Sequence, residues 1–298
     1  GLAIGQVTDE YLSRPQDIRE KTLIVTNAHT DRDIMHDKIR TGLSLGADIS
    51  VDRLRAKNLT NAEMRELEYE VETVGKDDEV IMKIVPRYQK GMVFQQGNNT
   101  FAKIIDVNMD ERSITLKDSN THQESKLYPS KVNHDFNTLY EVHSSGISAG
   151  DLLMMKSDDK ANNIKKNDRV IVNDIKDGFI YAKNDEKEIR LDTNNPQHMV
   201  MEYGYTNTTM SSQGMTVESV MPFAKSHSPL NSLNSLYVQL SRGQVHATLF
   251  TDNLEEMMKG ISSHDKTLAH DVIEKVNNLS LTKLKLEPVV QEKQQAEP

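Results

Sequence analysis

The sequence predicts an α/β fold in which a parallel sheet flanked by helices is interrupted by a β-rich insertion. Three observations predict it. Lys21 to Asn27 (KTLIVTN) is a short apolar run suited to a buried strand, and Met35, Ile39 and Leu43 follow it at helical spacing beside Ile34. From Glu79 to Leu191 the pattern changes to short alternating stretches separated by turn residues. Strand and helix character returns after Pro196. At roughly 150 residues per domain, the 298 residues suffice for about two compact units.

Taken in order, residues 1–20 read as a leading linker or helix, and Lys21 to Asn27 as a strand. Thr30 and Asp31 supply N-capping side chains for the next helix, which Gly42 and Gly46 can terminate. Asp52 to Asp78 is charge-rich, with Leu54, Leu59, Met64, Leu67 and Val71 spaced irregularly through expected helical turns. Short strands are expected at Met92–Phe94, Phe101–Val107, Ser113–Lys117, Glu124–Tyr128, Leu152–Met155, Val170–Ile175, Phe179–Ala182 and Ile189–Leu191, with turns at Gln96 to Asn99 and Lys176 to Gly178. Such regular spacing argues for small β-barrels. His198 to Gln213 then forms a helical segment that Gly214 can end; Val217–Phe223 is a strand, Asn231–Arg242 a helix, His246–Thr251 a strand and Asn253–Ile261 a helix. The expected organisation is a split α/β domain, 21–86 with 193–277, an inserted β region, 87–192, and a disordered polar tail, 278–298.

Composition narrows the function classes. The 45 acidic and 36 basic residues give a formal charge of -9, so nucleic-acid contact has to be local. With no cysteine, disulfides, thiolate metal sites and a Cys nucleophile are excluded, and a reducing, cytoplasmic setting is the simplest. No run approaches the ~18 apolar residues that a membrane span needs, so no membrane insertion is expected. The start at Gly1-Leu2-Ala3, without methionine, reads as a fragment of a longer polypeptide.

Two segments could carry chemistry. Thr208 to Thr216 places hydroxyls and the Gln213 amide around a glycine turn before a strand, and such donors can recognise phosphate oxygens without reading a base. Ordinary capping of a turn would use the same residues. Leu236 to Gly243 (LYVQLSRG) is an apolar helix that delivers Arg242 at its end. A guanidinium there could stabilise a transferring phosphoryl group or simply compensate the helix dipole. No metal site is expected: His29 and His36, seven apart on one helix face, read as solvent-facing rather than as ligands.

In order and spacing, these pieces resemble the second RecA-like domain (2A-type) of superfamily 1 helicases, with an inserted 2B-type, Src-homology-like barrel. More narrowly, they resemble the helicase part of TraI-like (MobF-class) conjugative relaxases. The stretch Arg32 to Arg40 looks like the motif that opens the domain, and Tyr88-Gln89-Lys90-Gly91-Met92-Val93 like the start of the insertion. Ala149 to Met154 and Asn167 to Val170 look like later barrel strands, and the resemblance extends over Glu20 to Ile261.

The resemblance implies roles. Ser212, Gly214 and Thr216 fall on a motif that touches single-stranded DNA, and Gln213 on its coupling to nucleotide; Arg242 is the expected catalytic arginine at the γ-phosphate; Arg40 and Arg32 would assist nucleotide binding. Met210-Ser211 stands where the family often has His-Lys or His-Gly, which removes a cation. No G-x-x-x-x-G-K-[ST] loop occurs, since Gly75-Lys76-Asp77 lacks the leading glycine and the hydroxyl, so the isolated chain should not turn over. ATP and Mg²⁺ are implied for the full-length parent only.

Three readings follow. The chain is an enzyme fragment, the second motor domain of an ATP-dependent DNA helicase joined to a relaxase, completed by the first RecA-like domain and the relaxase domain of the same polypeptide. Or it is a recruitment module read by the coupling protein of a type IV secretion system, acting in the cytoplasm and carried into a recipient cell. Or it is a grip for single-stranded DNA, although aromatics are only 5% of the residues, and Phe94, Phe101, Tyr128 and Tyr140 read as barrel core.

Overall fold

The computed structural model describes residues 2–74, 80–97, 100–228 and 232–262. Gly75-Lys76-Asp77, the turn at Asn98-Asn99, the expected helix start at Asn231 and the tail 278–298 lie outside the described residues. Two helices, α1 (Leu2–Ser13) and α2 (Gln16–Glu20), lead into β1 (Thr22–Thr26) and α3 (His29–Gly42). Every residue of β1 is buried, as a strand covered on both faces requires. Its neighbours in the parallel sheet come from the other end of the chain: β15 (Thr206–Thr208) on one side and β16 (Val217–Ala224) on the other. Outside β16 lie β17 (Gly243–Ala247) and β18 (Phe250–Thr251); α5 (Leu233–Leu240) comes between β16 and β17, and α6 (Leu254–Ser262) follows β18.

Between α3 and β15 the chain is antiparallel. One six-stranded sheet runs β2 (Ile49–Ala56), β9 (Thr138–Ile147), β5 (Val93–Gln96), β6 (Thr100–Asn108), β7 (Ser113–Asp118), β8 (Glu124–Leu127). A five-stranded sheet runs β13 (Glu188–Asp192), β12 (Phe179–Lys183), β11 (Arg169–Lys176), β10 (Leu152–Met155), β14 (Met201–Tyr203). Beside them, β3 (Glu68–Val74) and β4 (Val80–Pro86) form a two-stranded ribbon, and α4 (Asn61–Met64) is closed by a Thr60–Glu63 capping box. By hydrogen bonding these are sheets with two ends, not strand orders closed on themselves.

Several expectations are corrected here. Within the described part of 52–78 only Asn61–Met64 is helical: Ile49 to Ala56 pairs along its whole length with the distant β9, and Glu68 to Val74 pairs with β4, so strand pairing overrides a locally helical charge pattern. The antiparallel part therefore begins near 49 rather than 87. His198 to Gln213 is not a helix: Met201–Tyr203 joins β10 and Thr206–Thr208 joins β1. Helix α3 is capped by Ala28 without a side-chain bond, since Asp31 is turned inward to Lys225 Nζ at 2.6 Å. It is ended by Ser44 at φ 57°, not by a glycine, with Leu45 N–H donating to the Arg40 carbonyl.

One core holds the lobes together. It joins Val7 and Tyr11 of α1, Ile24, Met35 and Ile39, Leu54 of β2, Leu153 and Met155 of β10, and Phe223 of β16. A second core, including Phe94, Ile104, Leu116 and Leu139, fills the six-stranded sheet. A third covers the other face of β1, where Leu23 and Val25 meet Met154, Met215 and Val220. Phe94, Phe101 and Tyr140 are core as expected, whereas Tyr128 is half-exposed beneath Lys131, 4.6 Å from its ring.

Candidate functional site

The stretch from Thr208 to Thr216 leaves the C-terminal end of β15, turns back and enters β16. Ser212 is buried and donates Oγ–H to the Thr209 carbonyl at 2.8 Å, while its N–H donates to Thr208 O at 2.9 Å. Gly214 has φ +79°, the left-handed region that favours glycine, and Met215 anchors the turn in the core. Gln213, Gly214 and Thr216 are exposed, as is Met210 at 81%. Of the four residues predicted here, Ser212 holds the turn internally and the other three face outward.

Arg242 meets the foot of this turn. It follows α5, its carbonyl accepts from Val217 N–H at 2.9 Å, and its Nη1 donates to the Met215 carbonyl at 3.4 Å. Gly243 fixes the exit, since a Cβ there would lie 2.5 Å from His246 O and 2.8 Å from Val220 Cγ1. The Nε–H of Arg242 is buried with no hydrogen-bond partner, and among the described residues no carboxylate pairs with the guanidinium. Among the described residues, no group of three His, Asp or Glu side chains is arranged to hold a metal ion.

A polar hub that the sequence did not single out ties α5 to the same turn. Gln239, fully buried, donates Nε2–H to Asn27 Oδ1 at 2.9 Å and to Thr209 Oγ1 at 2.8 Å. Thr209 and Ser235 hydroxyls donate to the same Asn27 oxygen at 2.6 and 3.2 Å. Asn27 sits just beyond β1, so the start of the turn, the tip of the central strand and the helix that carries Arg242 share one network.

Arg32 and Arg40 do not join Arg242. Both lie on α3 and face the insertion. Arg40 closes on Asp151, with Nε to Oδ1 at 2.8 Å and Nη2 to Oδ2 at 3.0 Å, and stacks 4.8 Å from the centre of the Tyr203 ring. Tyr205 donates its hydroxyl hydrogen to Asp151 as well, at 2.9 Å. Arg32 is buried and holds Asp33 Oδ1 at 3.0 Å; Arg55 bridges Asp33 and Glu202; Arg53 reaches Glu202 at 3.2 Å and lies 4.3 Å over Tyr203. Arg53 and Arg55, two apart on one strand face, and Glu202, a lone acid in an apolar run, were the available signals.

Electrostatics follow from that seam. Burial alone would raise the Glu202 carboxyl, but the Arg32 charge and the bonds and charge of Arg55 outweigh it and hold it at about 2. His36 is buried rather than solvent-facing, with Nε2 3.1 Å from the Thr206 carbonyl, and burial with the Arg32 charge pushes it down to about 3. It is a neutral core residue between Tyr203 and Tyr205. Lys156 is pushed down to about 8 by burial, which outweighs the pull of Glu202 and is reinforced by Arg32 and Lys166.

No family model matches the chain. An interrupted parallel sheet bearing a polar turn and an edge arginine defines a mixed α/β class of protein. Within that class the chain is TraI-like in sequence: it is 21% identical over 274 residues to the multifunctional conjugation protein TraI of Escherichia coli, and 22% over 273 residues to TraI of E. coli strain K12. Each match covers 90% of this chain and 15% of the relative, so the chain spans about a seventh of the TraI sequences it matches. Among solved structures, Pif1 helicases at forked double-stranded DNA align over 93% of this chain and 52% of theirs, at 12% identity and a TM-score of 0.36. Bacteroides Pif1 bound to single-stranded DNA aligns over 86% and 45%, at 14% identity and a TM-score of 0.36.

Proposed function

We propose that the chain is the C-terminal portion of the superfamily 1 DNA helicase module of a conjugative relaxase. It contributes the second half of an ATPase site and a contact for single-stranded DNA. The observation that carries this reading is Arg242: a guanidinium at a sheet edge, without a carboxylate partner among the described residues, bonded to the foot of the Gln213–Thr216 turn. ATP and Mg²⁺ belong to the full-length parent in this reading, held mainly by the first RecA-like domain. In the parent protein, Arg242→Ala should abolish strand unwinding, and Gln213→Ala with Thr216→Ala should weaken binding of single-stranded DNA. Wild-type unwinding in the Arg242 variant would refute the motor reading.

One observation favours a second reading, in which this copy of the motor fold serves as a translocation signal for a type IV secretion system. Arg40, expected at the nucleotide, is committed to Asp151. A docking role needs no ATPase residue. Under it, exposed substitutions on the insertion abolish conjugative transfer while Arg242→Ala leaves transfer intact; the reverse pattern supports the motor.

A further inference from the structure

The β3–β4 ribbon is anchored at its base and open along its edges. Arg87, just past β4, donates its N–H to the Leu67 carbonyl at 2.7 Å and lies 4.7 Å over the Tyr69 ring, while among the described residues neither strand pairs with any strand but the other. Residues opposite each other share a face, so Glu68, Glu70 and Glu72 lie with Pro86, Ile84 and Met82, and Tyr69, Val71 and Thr73 with Val85, Lys83 and Ile81. No cation stands on the first face. Glu70 and Glu72 are exposed there, and Met82 and Ile84 beside them are 54% and 61% exposed. A two-stranded ribbon is marginal in water, and an open edge with apolar side chains is a template for one more strand.

Charge selects the occupant. A row of glutamates repels phosphates and favours an extended segment in which basic and apolar residues alternate. The chain carries such a segment. Residues 263–298 lie outside the described residues, and within them 282–286 (TKLKL) alternates lysine and leucine before Pro288. Extended, Lys283 and Lys285 fall on one face and Leu284 and Leu286 on the other, with the two-residue period at which the glutamates of β3 recur. Residues 263–281 can span about 60 Å at roughly 3.3 Å each, enough to cross a domain of this size. The polar composition of 278–298 offers no core of its own, so what this stretch gains by ordering must come from another surface.

We propose that residues 282–286 of the same chain dock as a third strand on the open edge of β3, with Lys283 and Lys285 against Glu70 and Glu72 and with Leu284 and Leu286 beside Tyr69 and Val71. Opposite charges directly across a strand pair stabilise it, and like charges there destabilise it. The backbone N–H and C=O groups of the edge supply the remaining bonds. This pairing does not depend on Arg242 or on ATP.

The test is amide hydrogen exchange of the 298-residue chain, read by mass spectrometry on peptides covering residues 68–73. Lys283→Glu with Lys285→Glu should speed exchange there about tenfold, because two attractive cross-strand pairs become repulsive. Adding Glu70→Lys and Glu72→Lys to that variant swaps the charges and should restore the protection. Lys165→Glu with Lys176→Glu, exposed sites with the same charge change, should exchange as the parent does. Parental exchange in the Lys283, Lys285 variant overturns the proposal, as does failure of the charge swap to recover protection. Protection that falls on dilution assigns the strand to a second copy and overturns pairing within one chain. Arg242→Ala should leave exchange in 68–73 unchanged, so failure here and failure of the motor reading are separable.

Discussion

Arg40 and Asp151, 111 residues apart, form a two-pronged ion pair in which the carboxylate is fully buried and the guanidinium nearly so. Asp151 opens β10 and Arg40 closes the last turn of α3, so the pair rivets the parallel sheet's helix to the five-stranded sheet. Removing one partner leaves the other charged and buried. Asp151→Ala should therefore cost about 3–5 kcal/mol in urea unfolding, and the double replacement Arg40→Met, Asp151→Leu much less than the sum of the single changes. Additive losses would mean the two residues act separately.

Glu202 sets an acid limb. Its folded pKa of about 2 lies below its ordinary 4.5, so its contribution is complete above pH 4.5 and disappears as pH falls from there toward 2. The shift corresponds to about 3 kcal/mol at neutral pH. Glu202→Gln should be markedly less stable at pH 7 and converge on the parent only as pH approaches 2 in thermal melts across that range.

Gln239 is expected to hold the polar hub. Gln239→Leu keeps the volume but leaves Asn27, Thr209 and Ser235 without its amide hydrogens in a buried site. A loss of about 1–3 kcal/mol should follow. Limited proteolysis should show faster cleavage within 209–216, the segment the hub restrains.

Ser44 offers a stabilising change. Its φ of 57° is a left-handed conformation that a side chain disfavours, and the residue is exposed. Ser44→Gly should raise stability by about 1 kcal/mol, read as an increase in thermal midpoint.

Much of the fold was legible because its signals are local. The apolar run at Thr22 to Thr26 and the alternating stretches of β6, β7, β11 and β12 announce strands whatever surrounds them. The stretches misread, Asp52 to Ala56 and Met201 to Thr208, are strands whose partners lie far along the chain, and nothing within them specifies that pairing; Glu68 to Val74 instead pairs with the strand that follows it. The site divides in the same way. The Ser212–Thr216 turn and Arg242 are contiguous motifs, and the structure brings them together. Arg32 and Arg40 carry the right charge on the right helix, but Asp33 in the next position, and Asp151 contributed by the insertion, engage them. Asn27 and Gln239 are unremarkable in sequence because their roles come only from burial and convergence.

The account's central claim concerns Arg242, and DNA-stimulated ATP hydrolysis by the full-length polypeptide tests it most directly. Arg242→Ala should lower the rate by about 10³-fold or more, as loss of an arginine at a transferring phosphoryl group does, with the thermal midpoint unchanged. A rate equal to that of the parent would contradict the claim and leave docking as the function of this fold.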